Sequence, residues 1–272
     1  MELKYGTWTV SSYEPADARA LCAAGFSPIT AALLCSRGYR DADAAREFLS
    51  CSYPLSSPFD LLDMDKAAAR VRLALQRREH IAVFGDYDVD GITATCLLTE
   101  YLRSRGGHVT SYIPARLEEG YGLNPLAIDT LKKQGVELIV TVDCGITANQ
   151  EAQLCKELGI DLVITDHHEC KSELPQAAAL VDPHRKDQPQ PVTEMAGVGV
   201  AFKLAAAIEG DQEKLLDQYC DFLCLGTVAD VMPLTGENRT MVARGLRALA
   251  NPKRVGIAAL MAEGTTEIGG VG

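Results

Sequence analysis

Three aspartates stand at alternate positions, Asp86, Asp88 and Asp90, directly behind the short apolar run Ile81–Phe84 and Gly85. Gly91 follows, and a helical pattern opens at Ile92 and Thr93. A buried strand therefore empties into a carboxylate cluster at a strand-to-helix turn. Like charges this close repel, and each raises its neighbours' affinity for a proton unless a cation neutralises them. All-oxygen donors in a tight turn suit a hard divalent ion such as Mg2+ or Mn2+. One Asp here would read as a helix N-cap. Three in alternation behind a buried strand read as a metal site.

The pattern recurs. The apolar run Glu137–Val142 leads into Asp143-Cys144-Gly145, and Asp161–Thr165 leads into Asp166-His167-His168-Glu169. A shorter run, Ala178–Val181, ends at Asp182-Pro183-His184. Asp230 lies in an apolar stretch, LCLGTVADVMPL, where an acid without a partner is costly, so it joins the candidate ligands. The candidate set is Asp86, Asp88, Asp90, Asp143, His167, His168 and Asp230. Several carboxylates with one or two imidazoles suit a pair of Mn2+ or Mg2+ ions, and the imidazole tilts the choice towards Mn2+. Such a pair would activate a water and brace the leaving oxygen of a phosphoryl group. The sequence holds no G-x-x-x-x-G-K-[ST] phosphate loop, which disfavours nucleoside-triphosphate hydrolysis of that kind. Cys144 has no visible base and reads as packing; Cys220 and Cys224 lack a second ligand pair and read as core.

These residues need elements to position them. Helical patterns at residues 17–25, 29–37 and 41–49 fill an N-terminal segment with no chemistry of its own. An amphipathic helix, 64–79, precedes the strand at 81–84. Helix 92–105, strand 108–113, a helix capped by Asn124 with Pro125 at its first position, and strand 137–142 follow. Thr147 with Gln150 predicts a capping box for the helix running to Leu158. Alternating strands and helices mean a parallel α/β sheet flanked by helices. Sites in such sheets lie outside the carboxyl ends of the strands, so distant residues converge on one crevice. After Pro191 the chain turns helical, including residues 214–225 and 238–249. The expected organisation is an N-terminal helical segment, 1–65, an α/β catalytic domain, 66–234, and a helical extension, 235–272.

Composition narrows the class. Nearly half the chain, 47%, is hydrophobic, which is ample for a core, yet no uncharged apolar run is long enough to span a membrane. The N-terminus lacks the basic and apolar regions of a signal peptide. Nine cysteines without framework spacing fit reduced thiols and a cytoplasmic location. The net charge of −11 speaks against broad polyanion binding, although a local basic groove is compatible with an acidic whole.

The motifs also carry a resemblance. Asp166-His167-His168 resembles the signature of the DHH phosphoesterases. GDYDVDG at 85–91 and GTVADVMPL at 226–234 are similar to the RecJ branch of that family, the single-strand-specific exonucleases. The resemblance spans residues 80–234. It implies a parallel α/β sheet with a dinuclear Mn2+ or Mg2+ site that degrades single-stranded DNA from the 5′ end to mononucleotides, in recombination and repair. It implies single-stranded DNA as partner, with a helicase or single-strand-binding protein as a further one. By position, Asp143 would bridge the ions, Asp88 would bind one, and Asp90, His167 and Asp230 the other. His168 would stabilise charge on the phosphoryl oxygens and Asp166 would orient a histidine. Some relatives place a metal-binding histidine four residues before the first metal aspartate; Phe84 stands there, so Asp86 is expected to complete the first site.

Two further segments resemble parts of the branch. RLEEGYGLN, 116–124, offers Arg116 for a phosphate and Tyr121 for a base. AGVGVAFK, 196–203, puts Gly197 and Gly199 at a helix start that can bind phosphate or simply pack. Full members continue into a second domain and a strand-holding OB-fold, so the chain reads as a catalytic-domain fragment. Alternatives remain a phosphoesterase for oligoribonucleotides or cyclic dinucleotides, and a non-catalytic replication scaffold of the same fold; the intact ligand set speaks against the scaffold.

Overall fold

The structure, a computed structural model, describes residues 11–115, 119–120 and 122–264. Arg116 and Tyr121, the two expected strand contacts, lie outside the described residues. The chain divides into two compact units, residues 1–53 and 54–272.

The smaller unit holds three nine-residue helices, α1 (Pro15–Ala23), α2 (Pro28–Ser36) and α3 (Ala42–Ser50). Ser27 and Asp41 cap α2 and α3 by accepting from Thr30 and Asp43 amides. Leu21, Ala31, Leu34, Cys35 and Ala45 form its own small core.

The larger unit opens with the short 3-10 turn Pro58–Asp60 and α4 (Met64–Arg77). The α/β alternation then runs β1 (His80–Gly85), α5 (Val89–Ser104), β2 (His108–Tyr112), α6 (Pro125–Lys133), β3 (Leu138–Val142), α7 (Asn149–Glu157), β4 (Asp161–Thr165) and β5 (Ala179–Val181). Four helices close the described chain: α8 (Gly197–Glu209), α9 (Gln212–Ala229), α10 (Gly236–Leu249) and α11 (Val255–Glu263). No described helix is long and apolar enough to cross a membrane. Leu61 and Met64, read with the N-terminal segment from sequence, are buried in the core of this larger unit.

All strand pairs are parallel, in the order β2-β1-β3-β4-β5. Strand side chains alternate between two apolar layers, as the pleat requires. Ile81, Val83, Leu138, Val140 and Val163 face α4, α5, α8 and α9, while Ala82, Phe84, Ile139, Leu162 and Ile164 face α6 and α7. With both faces covered, the polar chemistry is confined to the strand ends.

Register brings those ends together. Gly85 pairs with Val142, Val142 with Thr165, and Thr165 with Val181. The next residue on each strand is an aspartate, so Asp86, Asp143, Asp166 and Asp182 form one row across the sheet's carboxyl edge. Several helix boundaries differ from expectation, among them the start of α5, at Val89 rather than Ile92. α7 begins at Asn149 with Ala148 at its N-cap position and no side-chain cap, because residues 145–148 make a tight turn in which Ala148 N–H donates to Gly145 O at 2.9 Å. Thr147 is therefore not the cap. α9 runs unbroken through Gly226 to Ala229, which delivers Asp230 as its C-cap residue.

Candidate metal centre

The turn from β1 into α5 is built for close approach. A Cβ on Gly85 would collide with Thr95 Oγ1, and one on Gly91 would lie 2.6 Å from Asp86 O. The chain can therefore double back tightly enough to put Asp86, Asp88 and Asp90 within one turn. Asp88 caps α5, accepting from Gly91 N–H at 2.9 Å. The N-cap reading and the ligand reading are thus both satisfied by one residue.

Asp90 is 1% exposed and points across to the start of α8. Its Oδ2 accepts from Gly197 N–H at 2.6 Å and its Oδ1 from Val198 N–H at 2.9 Å. The helix N-terminus is an anion site, and here the anion is the protein's own carboxylate. Gly197 is required because a Cβ there would lie 2.5 Å from Asp143 Cβ. Gly226, on α9, is required likewise: its Cβ would meet Asp90 Oδ1 and Thr93 Oγ1, each at 2.6 Å. Gly199 N–H donates to Ala196 O at 2.8 Å, within the helix start itself. The phosphate cradle expected at Gly197 and Gly199 is thereby given another task, close packing of α8 against the carboxylates.

Asp143, 1% exposed, sits at the centre with φ +59°, a left-handed conformation that Asp tolerates better than most residues. Burial, then the neighbouring Asp90 and Asp88 charges, push its carboxyl well above the usual range. Burial does the same to Asp90. Asp143 Oδ1 is buried and makes no hydrogen bond. His167 Nε2 lies 3.0 Å from that oxygen and 3.7 Å from both Asp90 Oδ2 and Asp230 Oδ2.

Donor atoms converge within 4.8 Å in three overlapping groups: Asp86, Asp88 and Asp143; Asp90, His167 and Asp230; Asp143, His167 and His168. Asp143 is shared by the first and third. A row of buried like charges, one of them with an orphaned oxygen, costs folding free energy that only a cation recovers. Oxygen donors with one or two imidazoles fit Mg2+ or Mn2+. Cys144 is buried and directs its thiol to Phe84 O at 3.8 Å, so sulfur takes no part.

Asp166 organises the next row. Its Oδ1 accepts from His168 Nδ1 at 2.7 Å and from the amides of His167 at 2.7 Å and His168 at 3.3 Å. Its Oδ2 accepts from Ile146 N–H at 2.9 Å. The side-chain hydrogen bond to Asp166, then the Asp166 charge, raise the His168 pKa. The contact between Nδ1 and Asp166 Oδ1 sets the orientation of the ring.

The match to known proteins agrees with this geometry. Residues 80–227 match the model of the DHH family, N-terminal domain. The chain belongs to the DHH family. It is 42% identical over 244 residues to the single-stranded-DNA-specific exonuclease RecJ of Bacillus subtilis, covering 89% of this chain and 31% of that protein. Identity to the Escherichia coli RecJ is 36% over 248 residues, 86% of this chain and 42% of the relative. The chain thus spans less than half the length of these curated relatives. Among solved structures, an exonuclease RecJ bound to manganese is similar at TM-score 0.70 and 37% identity, covering 79% of this chain and 55% of that one. RecJ of Thermus thermophilus in complex with Mn2+ superposes at TM-score 0.75 and 31% identity, over 93% of this chain and 36% of that one.

Within this DHH domain the structure brings together every ligand residue expected from sequence, along with Asp166 and His168. Phe84 does not face the cluster: it is fully buried in the opposite layer, stacked on Tyr112 with ring centroids 5.3 Å apart. Asp182 is the residue that reading from sequence noted and left out. It is fully buried, its carboxyl is pushed up to about 7 by burial, and its Oδ2 makes no hydrogen bond. Its place at a strand end, in the same row as three site residues, was the available signal.

Proposed function

We propose that this chain is the hydrolytic core of a metal-dependent exonuclease that cleaves phosphodiester bonds of single-stranded DNA from the 5′ end, releasing mononucleotides. The observation that carries this reading is Asp143 standing between two donor groups, one all-carboxylate and one containing His167, beside a histidine fixed by Asp166. The relatives named for single-stranded DNA support the choice of substrate.

When bound, a pair of Mn2+ or Mg2+ ions supplies Lewis-acid activation of a water and compensates charge on the phosphoryl group. The chain's residues do the rest. Asp86 and Asp88 would hold one ion, Asp90, His167 and Asp230 the other, and Asp143 would reach both. The α8 N-terminus fixes the Asp90 carboxylate against rotation. His168, its Nδ1 tied to Asp166, presents Nε2 to the phosphoryl oxygens and donates to the charge that develops there. Asp182 lies in the same row without an assigned role.

All nine cysteines are free thiols, which supports a reducing, cytoplasmic setting. A helicase or single-strand-binding protein would present the strand. The test is degradation of labelled single-stranded DNA with added Mn2+, run beside duplex DNA and a dinucleotide. Chelator-sensitive loss of the single strand is the expected result. Cleavage of the dinucleotide alone would transfer the reading to a small-substrate phosphoesterase.

A further inference from the structure

The helix that delivers Asp230 ends in a way that nothing in the metal centre explains. α9 closes with a Schellman motif: Met232 N–H donates to Thr227 O at 3.1 Å and Val231 N–H to Val228 O at 3.2 Å. Such an ending needs a left-handed residue, and glycine is the usual one. Six other helices of this chain are followed by left-handed glycines: Gly25, Gly38, Gly106, Gly135, Gly159 and Gly210. Here the residue is Val231, at φ +58°. Among the described residues with positive φ it is the only β-branched one, and such a side chain is strained in that region. Its side chain gains nothing from folding, because the residue is 86% exposed. Strain of this kind persists at functional positions.

The surroundings say what the side chain does. The last turn of α9 packs on the first turn of α5 through Gly226, against Asp90 and Thr93. Aliphatic side chains stand in solvent here: Val228 (49% exposed) on α9 and Val231 just beyond it, Val89 (47%) and Ile92 (40%) on α5. Val89 lies between Asp88 and Asp90, and Val228 and Val231 flank Asp230. Aliphatic side chains are thus exposed beside the carboxylates on a chain whose net charge is −11.

We propose that Val231, with Val228, Val89 and Ile92, forms a platform that packs against the face of a nucleobase of the strand whose phosphate reaches the ion that Asp90, His167 and Asp230 would hold. The inference rests on the exonuclease reading and specifies how that site meets its substrate. Aliphatic side chains offer no hydrogen bond to a base edge, so the platform accepts every base alike. It also requires an unstacked base, since in a duplex both faces are covered by neighbouring pairs. The platform therefore selects single strands without reading sequence. A valine at a glycine position trades stability for this contact.

The experiment compares wild type with Val231→Gly, which frees the backbone and removes the side chain. Probes are a fluorescent oligothymidylate octamer with phosphorothioate linkages and an abasic octamer of the same backbone, each titrated in Mn2+ by anisotropy. The wild type is expected to prefer the base-bearing octamer by about three- to tenfold, the scale of burying part of an aliphatic side chain. In Val231→Gly that ratio falls to near one, while abasic affinity and Mn2+ binding hold and the melting temperature rises. An unchanged ratio in the variant, or no base preference in the wild type, overturns the platform. Failure of the wild type to cleave unmodified single strands sinks the exonuclease reading instead, and a base-dependent ratio would survive it.

Discussion

Asp90 Oδ2 lies 2.6 Å from the backbone nitrogen of Gly197, so one candidate metal-ligand carboxylate is also the N-terminal anion of a helix that starts 107 residues later. The same glycine gives way to Asp143, whose Cβ would be 2.5 Å from any added Cβ. Two candidate ligands from different strand ends are therefore referenced to a single backbone position. Gly197→Ala is expected to cost about 1–3 kcal/mol, the usual penalty of overpacking, and to abolish the rise in melting temperature on adding Mn2+. A variant that melts and binds Mn2+ like wild type would show that α8 does not set the site.

Asp143 is held in place against its own electrostatics. Burial and the Asp90 and Asp88 charges disfavour its ionised form, and its buried Oδ1 has His167 Nε2 beside it at 3.0 Å. Asp143→Asn removes the charge and keeps a side chain that tolerates positive φ. Without metal the variant is expected to melt higher than wild type by about 2–4 °C, roughly 1 kcal/mol in a chain of this size. With Mn2+ the order reverses, since binding to the native state stabilises only the wild type. Turnover is expected to vanish. Residual Mn2+ stabilisation of full size in Asp143→Asn would remove its bridging role.

The parallel sheet and its chemical edge were legible because each strand is a short apolar run with an acid directly behind it. Asp86, Asp143 and Asp166 could be aligned from sequence, and the pairing of Gly85, Val142 and Thr165 is what aligns them. The partner of a helix N-terminus was not legible. AGVG spells a possible anion site, but sequence does not say that the anion is Asp90, 107 positions before Gly197. Asp182 stayed outside the site for a related reason: its strand is only three residues long, too short a run to rank with the others. Thr147 and Gln150 fit a capping box locally, and the turn that lets Ile146 N–H reach Asp166 overrides it.

Lys203 and Glu237 join α8 to α10 deep in the larger unit. Their side chains are 1% and 2% exposed, with Nζ 2.6 Å from the carboxylate. Ser56 completes the network, donating to Glu237 Oε1 at 2.5 Å while its carbonyl accepts from Nζ at 2.8 Å. Removing one partner leaves the other charge buried and alone. Lys203→Met or Glu237→Leu is each expected to destabilise by about 3–5 kcal/mol, and the double variant by clearly less than the two summed. Urea unfolding of the four proteins measures this; additive losses would mean that the pair is uncoupled.

His80 sits at the opposite pole of the sheet, away from the carboxylates. Its ring stacks on His108 at 3.9 Å, with Nδ1 3.2 Å from Gln134 O and Nε2 2.8 Å from Thr110 Oγ1. Burial, then the His108 charge, hold its pKa below the ordinary 6.5, with the Gln134 carbonyl and then Glu137 opposing. The unfolded chain therefore takes up the proton at higher pH than the folded one, and stability is lost as pH falls below 6.5. The melting-temperature advantage of wild type over His80→Gln is expected to be largest at about pH 8 and to shrink by about pH 5.5. An advantage that is flat across that range would show that the ring does not titrate with folding.

Asp166 touches no phosphate in the proposed chemistry, yet four donors meet on its two oxygens. An asparagine has one acceptor oxygen, so Asp166→Asn sets an amide N–H against either Ile146 N–H or the His168 side. The ring of His168 then loses its fixed orientation, while Asp86, Asp88 and Asp90 keep theirs. The expected result is a kcat reduced about 10–100-fold, the usual cost of losing an orienting partner, with Mn2+-induced stabilisation largely retained. His168→Gln alone should match that loss or exceed it. Adding it to Asp166→Asn should cost little more, because both changes remove the same aimed imidazole. If the two losses multiply instead, Asp166 acts through something other than His168, and its contact with Ile146 becomes the place to look.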